Sequence, residues 1–85
     1  MADSTVEELV GYINGNAKRK QVIDVLVKKG SVSFEIIEKT MRVPKLTLEK
    51  TLKDLVDKGV VKKQKDNYDL TENGAAAATI FHAMR

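Results

Sequence analysis

The chain has 85 residues, with 15 Lys or Arg against 12 Asp or Glu and a formal net charge of +3. That length is expected to hold one domain, 1–85, with a modest core and no separate ligand-sensing unit. No cysteine is present, which excludes disulfides and thiolate metal sites and fits a reducing compartment.

Val6, Leu9, Val10 and Ile13 recur at i, i+3, i+4 and i+7, so the first element is an amphipathic helix over about 4–14. Thr5, with Glu8 three residues later, is placed to open it as a capping box. Asn14, Gly15 and Asn16 stop it, and Asn16 can cap a second helix over 17–29. The expected stripe of that helix is Val22, Ile23, Leu26 and Val27. Gly30 ends it, with Lys28 and Lys29 near the negative end of the helix dipole.

Ser31-Val32-Ser33 leans towards a strand stub. Ser33 can cap a third helix, Phe34 to Thr40 or Met41, burying Ile36 or Ile37 and part of Phe34. After a turn through Arg42 and Val43, Pro44 suits the first position of a helix, where a missing N–H costs nothing. This fourth helix is expected over 44–58. Leu48, Leu52, Leu55 and Val56 face inward, and Leu46, Lys50, Lys53 and Asp57 face outward. Gly59 stops it. Two strands follow, Val60 to Gln64 and Asn67 to Leu70, around a turn at Lys65-Asp66-Asn67. Thr71 can cap a last helix over 72–84, where Ala77, Ile80, Phe81 and Met84 again keep helical spacing.

Charge is unevenly spread. The stretch from Arg42 to Lys65 holds eight bases against Glu49, Asp54 and Asp57, while both ends of the chain are acidic. A basic middle points to a polyanion on one face, with a solvated lysine surface as the plain alternative.

The order helix, short strand, helix, turn, helix, hairpin resembles the winged helix-turn-helix family of small prokaryotic regulators, archaeal ones included. The resemblance covers about Ala17 to Gly74 and is sharpest in RVPKLTLEKTLKDLVDKGVVKKQKDNYDLT. Val43 stands where the family ends its turn on an apolar residue, and Leu52 and Leu55 match its core-packing leucines. Gly59-Val60-Val61 matches the launch of the wing, and Tyr68, Leu70 and Thr71 match its aromatic-x-Leu-Thr close. The implied fold is mainly α with a small β-hairpin wing. It comprises an N-terminal helix (4–14), a winged helix-turn-helix core (17–71) and a C-terminal helix (72–84).

The resemblance implies double-stranded DNA binding and transcriptional regulation, with helix 44–58 in the major groove and wing 60–70 on the backbone or minor groove. The DNA-binding candidates are then Arg42, Lys45, Leu46, Thr47, Glu49, Lys50, Lys53, Lys62, Lys63 and Lys65. Lys45 and Lys50 would meet guanine acceptors or phosphate, Leu46 a thymine methyl, and Glu49 a cytosine amino group. Arg42 and the wing lysines would meet the backbone. Lys18, Arg19 and Lys20 are either further phosphate contacts or plain surface charge. The helix lacks Arg, and Glu49, Asp57 and Asp66 lie near the same face. These departures lower the expected affinity of each monomer for DNA. DNA binding stays the first reading, and outward Leu46, Glu49 and Asp57 are the features that speak for the alternative, a winged-helix adaptor that binds protein in a larger complex.

Val6, Leu9, Val10 and Ile13, with Ile80, Phe81 and Met84, either pack within the chain or form a twofold interface. The homodimer is preferred because the resemblance implies it, many winged-helix regulators pairing through helices outside the central motif, and twofold symmetry would match paired half-sites on DNA. Nothing in the sequence points to catalysis, a metal, a cofactor or a small-molecule ligand. His82 is the sole histidine, and the glycines are scattered caps and turns rather than a phosphate loop. The longest largely apolar, uncharged run, Gly74 to Phe81, is too short to span a membrane, and the acidic N-terminus is no secretion signal. The expected location is the cytoplasm.

Overall fold

The computed structural model describes residues 2–83, with side chains over 6–81. Five helices and a three-stranded antiparallel sheet follow one another as α1 (Ala2–Asn14), α2 (Ala17–Lys29), β1 (Val32–Ser33), α3 (Phe34–Met41), α4 (Lys45–Asp57), β2 (Val61–Gln64), β3 (Asn67–Leu70) and α5 (Glu72–Ala83). This is the winged helix-turn-helix fold with a helix added at each end.

Local chemistry sets most boundaries. The Asn16 side chain accepts from Lys18 N–H at 2.8 Å and Arg19 N–H at 3.3 Å, which opens α2. Gly30, at φ 77°, closes α2 with a bond to the Leu26 carbonyl. Ser33 caps α3 through Ile36 N–H at 3.4 Å. The α3–α4 turn is made by Arg42 in the left-handed region, φ 56° and ψ 46°, with its N–H on the Glu38 carbonyl. Val43 is buried beneath this turn.

Several sequence expectations shift. α1 begins at Ala2, so the backbone of Thr5 lies within the helix rather than at its start, and its side chain lies outside the described residues. Pro44 is the N-cap of α4 rather than its first residue: ψ 144° holds it extended, and the helix runs Lys45–Asp57 with Lys58 as C-cap. In α2 Val25 is buried, whereas Val27 is 44% exposed. With about 100° of turn per residue, Val25 and Ile23 flank the arc centred on Val22 and Leu26, and Val27 falls beyond Ile23. In α3 it is Ile37 that is buried, and Ile36 is exposed.

The core lies where α1, α2, α4, α5 and the base of the hairpin meet. Leu48, Leu52 and Leu55 enter it from α4, followed by Val60 and Val61. Buried Ala77 and Ala78 let α5 lie close against α1, so the alanine run does more than favour helix. Leu9, Ile13 and Phe81 are consumed by this core. The reading that placed them at a twofold interface is therefore corrected to packing within one chain. Val6 and Val10 are half-buried, Ile80 is 40% exposed, and Met84 lies outside the described residues.

The sheet has the order β1-β3-β2. Val61 pairs with Leu70, Lys63 with Tyr68 and Gln64 with Asn67, leaving Lys65 and Asp66 as the turn. The β1 stub joins the other edge, with Val32 opposite Tyr68. It thereby fixes the hairpin to the start of α3.

Candidate nucleic-acid interface

α4 is amphipathic, and its outward residues divide into two sets. Lys45, Glu49 and Lys53, four apart and on one face, line the space between α4 and the hairpin. Leu46, 78% exposed, and Lys50 belong to neither lining. Thr47 is half-buried, and its carbonyl accepts from the Thr51 hydroxyl at 2.8 Å.

Across from α4 stand Lys63 and Tyr68 of the hairpin. An open groove of about 1000 Å³ runs from them past Lys45 and Glu49 to α3, which supplies Phe34, Glu35, Glu38 and Lys39. A smaller groove of about 250 Å³ continues along Lys53 and Val56. The floor is therefore partly aromatic and the rim charged. Acids at Glu35, Glu38, Glu49 and Asp66 alternate with Lys39, Lys45 and Lys63. With Lys53 further along, lysines only equal acids in number, so the groove lining has no net positive charge and its positive surface is not continuous.

The wing lysines are not equivalent. Successive strand residues point to opposite faces. Lys63 lies over the Tyr68 ring, 5.7 Å from its centroid, and lines the groove. Lys62, paired in register with Asp69, takes the other face. Lys65 occupies the hairpin tip with φ 57°. The three exposed wing lysines therefore present their charge in different directions. Lys50, on α4, reaches Asp54 at 3.8 Å while staying 80% exposed, an ion pair that contributes little. Arg42 is exposed at the entrance to α4.

Arg19 and Lys20 are engaged within the chain. The Arg19 guanidinium stacks 3.8 Å from the Tyr12 centroid and donates to the Tyr12 carbonyl at 2.9 Å. Lys20 lies 4.9 Å from the Phe81 centroid, and Lys58 lies 5.3 Å from that of Tyr12. Tyr12 thus ties α1 to α2 and to the end of α4, a role its sequence position did not disclose. Sequence reasoning also missed the α3 wall of the groove. The i, i+4 pair Glu35 and Lys39, with Glu38 beside them on α3, was the available signal.

Among the described residues no cluster of three His, Cys, Asp or Glu could hold a metal ion. No helix in this range is long and apolar enough to cross a membrane.

The profile of the family described as "Methanogenesis regulatory protein FilR1, N-terminal domain" matches residues 7–85. The chain belongs to this family. It is a winged helix-turn-helix unit of DNA-binding transcription regulation. Quinone-bound YodB from B. subtilis is 29% identical, with a TM-score of 0.81 over 92% of this chain and 89% of that one. Reduced MarR from E. coli is 24% identical with a TM-score of 0.79, and the match covers 96% of this chain and 62% of MarR. The MarR likeness shows the fold. No curated protein matches the chain in sequence.

Proposed function

We propose that the chain binds double-stranded DNA as a homodimer in the cytoplasm, without enzymatic activity. In this reading α4 enters the major groove and the β2–β3 hairpin lies on the flanking backbone or minor groove. The observation that carries it is the placement of the Lys45–Glu49–Lys53 row opposite Lys63, across an open groove that leaves the first half of α4 uncovered. A major groove admits one helix, whose N-terminal side chains reach base edges while flanking groups hold phosphates. Lys45 and Lys50 then meet guanine acceptors or phosphate. Leu46 meets a thymine methyl. Arg42, Lys53, Lys63 and Lys65 neutralise backbone charge.

Dimerisation is proposed through α1 and α5, using the apolar surface left after the core is filled: Val6, Val10 and Ile80. Twofold symmetry would present two α4 helices to half-sites one helical turn apart. The name of FilR1 makes promoters of methanogenesis genes the first sequences to try. The quinone in the YodB structure is that protein's ligand, and this chain has no cysteine thiolate to add to one.

The test is fluorescence anisotropy of a labelled duplex titrated with protein at several salt concentrations. A slope of log K against log salt of about −4 or steeper supports the reading, because each neutralised phosphate contributes nearly one unit. Absence of binding at low salt overturns it.

A further inference from the structure

Glu49 is the acid in the middle of a lysine row. Lys45 lies one turn before it and Lys53 one turn after, all three on the groove side of α4, with Lys63 and Tyr68 opposite. Its side chain is exposed and, unlike Asp54 with Lys50, makes no ion pair among the described residues. A carboxylate placed there weakens attraction to every stretch of DNA. It also has an acceptor's chemistry only.

We propose that Glu49 is a specificity-determining residue of the DNA interface, accepting a hydrogen bond from the N4 amino group of a cytosine. This rests on the reading that α4 enters the major groove. In that groove guanine and thymine present acceptors, which repel a carboxylate. Adenine offers an amino group beside the N7 acceptor. Cytosine offers a donor without that neighbour. At guanine or thymine Glu49 is stripped of water with no partner, at adenine its bond is opposed by the neighbouring N7, and at each it lies close to phosphates. The lysines on either side supply phosphate contacts that keep the helix seated. Glu49 therefore imposes a penalty on DNA in general that one base relieves, which is discrimination by repulsion as well as by attraction.

The experiment is selection from a random duplex library with wild-type protein, Glu49→Ala and Asp57→Asn, each checked for folding by circular dichroism. Asp57 is exposed at the far end of α4, so its substitution also removes one negative charge but at a position away from the helix start. Wild type is expected to select cytosine at one position of each half-site. Glu49→Ala is expected to lose that preference and to bind a mixed-sequence duplex about tenfold more tightly, in keeping with the discrimination of one good base contact. Asp57→Asn should tighten mixed-sequence binding while keeping the cytosine. If folded Glu49→Ala selects the same sequences as wild type, or wild type selects no cytosine, this inference fails and the DNA reading stands. If wild type binds no duplex at all, both fail.

Discussion

The hydroxyl of Thr71 donates to the carbonyl of Gly59 across 2.6 Å. The same oxygen accepts from the Gly74 N–H at 2.9 Å, and the Thr71 N–H donates to the Val60 carbonyl at 3.0 Å. One threonine thus closes the hairpin at its base, opens α5 and fixes the end of α4 to both. Gly74 completes the closure because a Cβ there would collide with the Val60 carbonyl oxygen.

Thr71→Val keeps the shape of the side chain but removes the hydroxyl's contacts with the Gly59 and Val60 carbonyls and with the Gly74 N–H, while the backbone bond to Val60 stays. The Gly59 carbonyl and Gly74 N–H lose a partner, at a cost of about 1–3 kcal/mol. Gly74→Ala would gain up to ~1 kcal/mol of helix propensity. The collision with Val60 costs about 1–3 kcal/mol by overpacking, so the collision wins and the variant is less stable. Each lost kcal/mol should lower Tm by about 4–8 °C in a domain of this size. Thermal melts by circular dichroism read both.

The two neighbouring wing lysines should separate in a salt titration. Lys63 shares the groove with α4, whereas Lys62 lies on the opposite face beside Asp69. Lys63→Ala is expected to make the slope of log K against log salt shallower by about one unit, the share of one phosphate. Lys62→Ala should change it by less than half as much. Equal effects would mean that the hairpin meets the backbone with both faces, and the docking proposed for it would be wrong.

Lys65 holds the hairpin turn at φ 57°, a conformation that favours glycine. Lys65→Gly removes the left-handed penalty of about 1–2 kcal/mol. The greater freedom of glycine in the unfolded chain takes back roughly 0.5–1 kcal/mol. The expected result is a small rise in Tm together with weaker DNA binding, since a tip cation has gone. A fall in both would mean that the lysine side chain supports the turn.

Helix positions and caps were legible because they depend on residues close in sequence: Asn16 for α2, Ser33 for α3 and the Thr71–Gly74 step for α5. The joining of β1 to β3 was not, since Val32 and Tyr68 meet only through the tertiary fold. The same holds for burial along α2, where Val25 and Val27 exchange places according to which helices surround them. On α4 the pattern separated the core face from the outer one. It did not reveal that the hairpin would divide the outer residues, leaving Glu49 inside the groove and Lys50 outside. Arg19 looked like one of three surface bases, and only the approach of α1 gave it the Tyr12 ring.

Association should be separable from folding along α1 and α5. Leu9 is 3% exposed and sits in the core, whereas Ile80 is 40% exposed on the proposed dimer surface. Leu9→Ala removes buried methyl groups and leaves a cavity, so it should cost about 2–5 kcal/mol in urea unfolding. It should shift association only as far as it unfolds the chain. Ile80→Glu places a charge where a second copy would bury it, at little cost to the isolated fold. Sedimentation should then show monomers at concentrations where wild type is dimeric. DNA binding should weaken as well, because two half-sites are no longer held by one particle and the gain in effective concentration is lost. If Ile80→Glu stays dimeric, the interface lies elsewhere. If it is monomeric yet binds DNA as tightly as wild type, one winged helix suffices and the twofold arrangement contributes nothing to affinity.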